Sequence, residues 1–236
     1  MRPDALALIP ARAGSKRIAR KNTRPLGGKP LIGWTFEAAK RAKGSGKVLV
    51  STDDEEVAAL AVGAGLAVLH RPADLAGDHA TSVDVALHAL DYEKAAGRDW
   101  PVLCLLQPTS PFRAAGRIDE GLALLGDNPQ AASVIGAIEP AHHPLHCMLD
   151  DGTGGITPVP SPSTNVARSQ DLPRAWAITG SFYAIRAPAL REHRAFVAPP
   201  CLALECDAPG EAIDIDWPDD LERAQQFLDR QSGAAR

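Results

Sequence analysis

Two groups of residues in this 236-residue chain have types and spacings suited to chemistry. The first is "IPARAGSKRIARKN", Ile9 to Asn22, with Arg24 and Lys29 close behind. It sets Arg12, Lys16, Arg17, Arg20 and Lys21 around a Gly14–Ser15 turn, directly after the apolar run "ALALI". Glycine lets the backbone turn tightly, and the free N–H groups and cations of such a loop surround a phosphate chain. The second group is "IDIDWPDDL". In an extended segment, Asp214 and Asp216 point to one face, because side chains alternate with a period of two. Two hard carboxylates on one face suit Mg²⁺, which binds through one or two carboxylates plus phosphate oxygens. Asp216 also stands where it could cap the following helix, whereas Asp219 and Asp220 need only the attraction of a helix N-terminus for acids.

Other candidates are less specific. The opening loop matches neither G-x-x-x-x-G-K-[ST] nor G-x-G-x-x-G. Gln107, in "LLQPTSPFR", offers a donor and an acceptor on a loop stiffened by Pro108 and Pro111, while Thr109, Ser110 and Arg113 are expected to shape the turn. Asp53, in "STDD", is expected to cap a helix, and Ser82 is a second candidate cap. His142, His143 and His146 invite a zinc reading. Pro144 interrupts any helix there and no Cys-x-x-Cys or HExxH pattern accompanies them, so a closed zinc site is not expected.

The elements that must position these residues are legible as alternating runs. "LALIP" (6–10), "KVLVS" (47–51), "LAVLH" (66–70), "VLCLLQ" (102–107) and "ASVIGAI" (132–138) are nearly continuous apolar stretches, as expected for strands covered on both faces. Helical patterns fall between them, at 31–43, 54–64, 81–96 and 114–125. The alternation predicts an α/β fold with a doubly wound, mostly parallel sheet, whose ligands bind beyond the carboxyl ends of the strands. After Glu139 the chain turns rich in Pro, Gly and polar residues, and so long an irregular run is uncommon inside a compact domain. We expect a single domain over 1–236, with 139–179 as a functional excursion or interface arm. Regularity resumes with "GSFYAIR", "APALREH", "CLALE" and a closing helix over 218–230, and the tail at 232–236 is expected to be disordered.

The totals exclude several classes. An apolar fraction of 45% suits a packed globular protein. The net charge of −4 disfavours a nucleic-acid binder. Cys104, Cys147, Cys201 and Cys206 form no tight framework, so reduced thiols are the default. With no apolar signal core and no span long enough for a bilayer, a soluble cytoplasmic protein without membrane partners is expected.

"IPARAGSKRIARKN", "GGKPLIGWT", "VSTDDEEVA", "RPADLAGDHATS", "LLQPTSPFR", "HHPL", "RSQDLP", "GSFYAIR" and "IDIDWPDDL" occur in one order from about residue 7 to 228. In this the sequence resembles the acylneuraminate cytidylyltransferase (CMP-sialic acid synthetase) family. The resemblance implies a Rossmann-like nucleotide-diphospho-sugar transferase fold with a dimerisation arm, and attack by a sugar's anomeric hydroxyl on the α-phosphate of CTP, with release of pyrophosphate. Arg12, Ser15, Lys16 and Lys21 would hold the triphosphate, beside Ala11 and Asn22 as further nucleotide contacts. Asp214 and Asp216 would hold Mg²⁺, or Mn²⁺ in its place. Arg71 would lie near the nucleotide, Ala80 and Ser82 would read the cytosine, and Gln107 would sit between ribose and sugar. His146, Arg168, Gln170 and Tyr183 are the candidates for gripping an anionic sugar, with Arg168 favoured because a guanidinium holds a carboxylate bidentately. Phe196 aligns with an aromatic that crosses to a partner subunit, a role that local packing explains equally, and a homodimer is expected.

The chain departs from the family in its sugar region. Ala177 and Thr179 stand where bacterial sialic-acid enzymes tend to have Arg and Asn, and His146 where a lysine is often found. The replacements change the donors of the sugar pocket, which points to an acidic sugar other than N-acetylneuraminate, with legionaminate-like and pseudaminate-like sugars open. Two alternatives are a 3-deoxy-manno-octulosonate cytidylyltransferase and a catalytically silent nucleotide-binding protein.

Overall fold

Alternation along the first strand sorts the core. In β1 (Ala5–Ala11), the side chains of Ala5, Ala7, Ile9 and Ala11 join one apolar cluster, while Leu6 and Leu8 join another. The first cluster lies under helices α1 (Leu31–Arg41), α2 (Glu55–Gly63) and α5 (Ala115–Asp127), the second under α4 (Ser82–Ala95) and α6 (Ala187–His193). A sheet buried on both faces is what the uninterrupted apolar strands require. Burying each leucine of this strand contributes roughly 1.5–3 kcal/mol.

The computed structural model describes residues 4–77, 79–159 and 172–234. After β1 come the two-residue strands β2 (Pro25–Leu26) and β3 (Lys29–Pro30), then β4 (Ser45–Thr52), β5 (Ala67–His70), the short helix α3 (Ala73–Ala76), β6 (Val102–Leu105) and β7 (Ser133–Ile138). A small hairpin of β8 (Met148–Asp150) and β9 (Ile156–Pro158) precedes β10 (Ala177–Arg186), β11 (Cys201–Glu205) and α7 (Pro218–Ala234). The main sheet has seven strands in the order β11-β7-β10-β6-β1-β4-β5. All run parallel except β10, which is antiparallel to both β6 and β7. The doubly wound, mostly parallel architecture expected from the sequence is therefore present.

Two local expectations are corrected and one gains detail. Helix α7 continues to Ala234, so 232–234 are helical. The excursion at 139–179 contains a hairpin and the start of β10 within its described part. The "DID" segment is not a strand: 213–216 carry no regular structure. It is held instead by the Ile215 N–H, which donates to the Thr109 carbonyl at 2.8 Å, and by burial of Ile215 among Ile18, Leu26, Leu31 and Ala224.

Candidate active site

Four adjacent parallel strands, β6, β1, β4 and β5, present their carboxyl ends together. The loops that leave them frame a cleft of about 310 Å³. Arg12, Ser15, Lys21 and Asn22 enter it from the loop after β1, Arg71 from the end of β5, Ala80 and Ser82 from the start of α4, and Gln107 from the loop after β6. Eight residues singled out in the sequence thus line one cavity. Ala11 is buried at the end of β1 and Lys16 is exposed, and neither lines the cleft.

The basic loop is pinned from several sides. Gly14 takes φ 70°, a left-handed conformation that glycine adopts without strain. The Ala13 N–H donates to Asp53 Oδ1 at 2.9 Å, and Asn22 Nδ2 donates to the Arg12 carbonyl at 3.2 Å. Arg20 pairs with Glu56, which also accepts from Thr23 Oγ1 at 3.2 Å. Asp53 is therefore not the helix cap expected from "STDD". Asp54 caps α2, accepting from the N–H groups of Glu56 and Val57, and Asp53 is left to hold the loop. Likewise the cap of α4 is Thr81, in a reciprocal box with Asp84, and Ser82 is the first helical residue.

Arg71 donates from Nε to Ser51 Oγ and from Nη2 to the Ser51 carbonyl, each at 3.0 Å. Burial pushes its pKa down to about 10; Asp53 works against that shift and Arg12 with it. It stays a cation at neutral pH, so Arg12, Lys21 and Arg71 make the cleft strongly attractive to an anion.

The acidic segment reaches the same place. Lys21 Nζ donates to Asp216 Oδ1 at 3.0 Å and to the Ile215 carbonyl at 3.1 Å. Ser110 Oγ donates to Asp214 Oδ1 at 3.3 Å. Asp216 does not cap α7: Asp220 reaches back to accept from the N–H groups of Asp216 and Trp217, at 2.9 and 2.8 Å. Among the described residues no group of three or more His, Cys, Asp or Glu could hold a metal by itself. Carboxylates beside a cation-lined cleft suit Mg²⁺, whose remaining ligands would be phosphate and water; Asp214 and Asp216 are the residues that would hold it.

Arg113, expected from the sequence to shape the turn, ties together more of the structure than that. It is buried, and donates to the Ser181 carbonyl, to Thr35 Oγ1 at 3.4 Å and to the Gln107 carbonyl at 3.0 Å. It therefore fixes both the Gln107 loop and the bend in β10. That bend contains Gly180, at φ 74°, where an added Cβ would lie 3.2 Å from Gln107 Oε1 and 3.7 Å from Asp214 Cγ.

The sugar-region candidates are brought together only in part. The Tyr183 and Phe196 rings pack with centroids 5.6 Å apart, so Phe196 has a partner within its own chain. Burial, and then the negative charge of Asp214, hold the Tyr183 hydroxyl protonated above its ordinary range. His146 is exposed in a short turn, its ring centroid 6.0 Å from that of His143. Both ring nitrogens of His143 are engaged, accepting from the Leu145 N–H and facing the Pro173 carbonyl at 2.9 Å. Arg168 and Gln170 lie outside the described residues.

A cation-rich cleft at the strand ends of a mostly parallel α/β sheet, with Asp216 paired to its Lys21, defines a nucleotide-handling α/β protein. Comparison with known proteins makes the class specific: residues 6–140, more than half the chain, match the cytidylyltransferase family model, and the chain belongs to that family. It is 32% identical to CMP-N,N'-diacetyllegionaminic acid synthase of Legionella pneumophila, over 95% of this chain and 96% of that one. It is 29% identical to a pseudaminic acid cytidylyltransferase of Campylobacter jejuni, over 93% of this chain and 94% of the relative. A local match to the N-acylneuraminate cytidylyltransferase of Escherichia coli reaches 44% over 128 residues, 52% of this chain and 29% of that protein. Among solved structures, a CMP:2-keto-3-deoxy-manno-octonic acid synthetase complexed with CTP superposes with TM-score 0.70 over 97% of this chain and 99% of that one, at 20% identity, a likeness of fold.

Proposed function

We propose that this protein transfers CMP from CTP to the anomeric hydroxyl of an acidic nonulosonic sugar, releasing pyrophosphate. The observation that carries the reading is the convergence of Arg12, Ser15, Lys21, Asn22, Arg71 and Gln107 on one cleft, with Asp214 and Asp216 at the ends of contacts from Ser110 and Lys21. In the reaction the sugar oxygen forms a bond to the α-phosphorus as the bond to the bridging oxygen of pyrophosphate breaks. Cations held in advance where charge accumulates lower the barrier, since phosphoryl transfer relies on positioning and electrostatics. Arg12 and Lys16 serve the reacting and leaving groups, Arg71, Ala80 and Ser82 the nucleoside, and Gln107 the junction of ribose and sugar.

The carboxylates of Asp214 and Asp216 would hold Mg²⁺, which would neutralise phosphate charge. The whole-length relatives named for legionaminate and pseudaminate support a nonulosonic substrate. The structural likeness to an octulosonate-activating synthetase, at 20% identity, is one of fold and does not favour the octulosonate alternative. A homodimer is in keeping with the exposed Met148, Leu149 and Ile156 of the β8–β9 hairpin, 49%, 49% and 68% accessible, and with Ile178. No described helix is long and apolar enough to cross a membrane. A cytoplasmic location is part of the proposal, on the ground that the reaction consumes CTP.

Pyrophosphate release from CTP, measured with Mg²⁺ across legionaminate, pseudaminate, N-acetylneuraminate and 3-deoxy-manno-octulosonate, tests the reading. Turnover with a nonulosonate in preference to the octulosonate is expected. Silence with every sugar from folded protein that binds CTP would instead favour the inactive nucleotide-binding protein.

A further inference from the structure

Asp216 carries a cation on each of its two oxygens. Lys21 Nζ sits 3.0 Å from Oδ1, and Arg17 Nη1 sits 3.5 Å from Oδ2. The Arg17 guanidinium also lies over the indole of Trp217, 4.4 Å from the ring centre. Trp217 is 57% exposed, an unusual placement for so large an apolar side chain, and its backbone N–H is fixed by Asp220. Arg17 and Trp217 thus form a small bridge between the basic loop after β1 and the acidic segment before α7.

The two cations are not equivalent. The Lys21 side chain is 15% exposed and holds a second bond, to the Ile215 carbonyl. The Arg17 side chain is 50% exposed, and it meets the acidic segment through the long ion pair and the ring. A divalent cation that takes Asp216 as a ligand is repelled by a side-chain cation held on the same oxygen. Of the two, Arg17 is the weaker competitor, because an exposed ion pair and an exposed ring contact are each worth little.

We propose that Arg17 is a positioning residue that occupies Asp216 Oδ2 in the metal-free protein and yields it when a divalent cation binds, leaving the face of Trp217 as it does so. The inference rests on the reading of Asp214 and Asp216 as metal ligands. Its consequence is twofold. Before ligand arrives, Arg17 holds the basic loop at a fixed spacing from the carboxylates. Once released, its charge belongs to the same loop as Arg12 and Lys16 and adds to the field that the phosphates meet. Arg17 therefore weakens metal binding to the nucleotide-free protein.

Mn²⁺ binding to the nucleotide-free protein, followed by electron paramagnetic resonance of the free ion, tests this without reference to turnover. Asp216→Asn is expected to weaken Mn²⁺ binding. Arg17→Met is expected to tighten it, by about three- to thirtyfold, the worth of an exposed ion pair plus a ring contact. Trp217 supplies a second readout. The emission of wild type minus that of Trp217→Phe should change on adding Mg²⁺, and the same difference should stay flat in the Arg17→Met background. If Asp216→Asn leaves Mn²⁺ binding untouched, the metal reading fails and the inference falls with it. If Asp216→Asn weakens binding while Arg17→Met leaves it equal or weaker, the role of Arg17 alone is overturned. A Mg²⁺-dependent change in Trp217 emission that survives Arg17→Met overturns it as well.

Discussion

Asp53 and Ala13, 40 residues apart in sequence, are joined by a hydrogen bond of 2.9 Å from the Ala13 N–H to the Asp53 carboxylate. The end of β4 thereby fixes the turn of the basic loop, and the same carboxylate's charge supports Arg71. Asp53→Ala removes both the acceptor and the charge, while Asp53→Asn keeps an acceptor. A hydrogen bond to a charged group is worth about 1.5–3 kcal/mol, so Asp53→Ala should raise the KM for CTP by roughly tenfold or more. Asp53→Asn should stay within about threefold of wild type if the hydrogen bond, rather than the charge, is what matters. Initial rates against CTP concentration at saturating sugar decide it. Equal damage from both substitutions would assign Asp53 an electrostatic role instead.

Lys21 and Asp216 approach to 3.0 Å across 195 residues of sequence. Each faces the reacting phosphates in the proposed reaction, so Lys21→Met and Asp216→Asn should each lower kcat/KM by about 10²–10³. Because the two touch, their effects should not multiply. A double-mutant cycle is expected to give a coupling of about 1–3 kcal/mol. Strict additivity would mean that the pair seen here has no part in catalysis.

Much of this was legible in the sequence, for physical reasons that also mark its limits. Strands β1 and β6 are uninterrupted apolar runs because helices cover both faces. The basic loop stood out because it combines Gly14 with five cations. Which acid caps α2 did not, since Asp53 and Asp54 are adjacent and only the geometry assigns the cap to one and the loop to the other. Arg113 reads as an ordinary turn arginine. It is buried because its acceptors, at Thr35, Gln107 and Ser181, come from segments up to 78 residues away. The β8–β9 hairpin has strands of three residues each, too short for alternation to register.

Glu93 gives a prediction about acid stability that is independent of the active site. Its side chain is fully buried in α4, where burial alone would raise its pKa. Bonds from Arg98, Lys47 and Trp100 overcome that and hold it down to about 2. A carboxylate with its folded pKa below the unfolded one stabilises the fold above the unfolded value. That contribution is lost as pH falls through the folded value. Glu93→Gln should therefore lower Tm at pH 7 by roughly 4–8 °C, on the order of 2 kcal/mol for a chain of this size. The gap to wild type should narrow between about pH 5 and pH 2. Thermal unfolding followed by circular dichroism across that range would show it, and a gap constant with pH would mean that the loss is one of packing.

Gly180 separates damage to the site from damage to the fold. Its φ of 74° disfavours any residue with a Cβ, and that Cβ would meet Gln107 Oε1 at 3.2 Å, Ser110 Oγ at 3.4 Å and Asp214 Cγ at 3.7 Å. The backbone strain of Gly180→Ala is about 1–2 kcal/mol, which a chain of this size survives with a fall in Tm of roughly 2–8 °C. The contacts, however, are with the residue proposed to join ribose and sugar and with one of the proposed metal ligands. A displacement of a few tenths of an ångström there misaligns attack on the α-phosphorus, and misplacement of reacting groups by about 1 Å can cost 10²-fold in rate. Gly180→Ala should thus lower kcat by at least tenfold at temperatures where it is fully folded, with CTP binding by calorimetry changed far less, since Arg12, Lys21 and Arg71 are untouched. Full kcat in folded Gly180→Ala would place the reacting sugar away from this bend of β10.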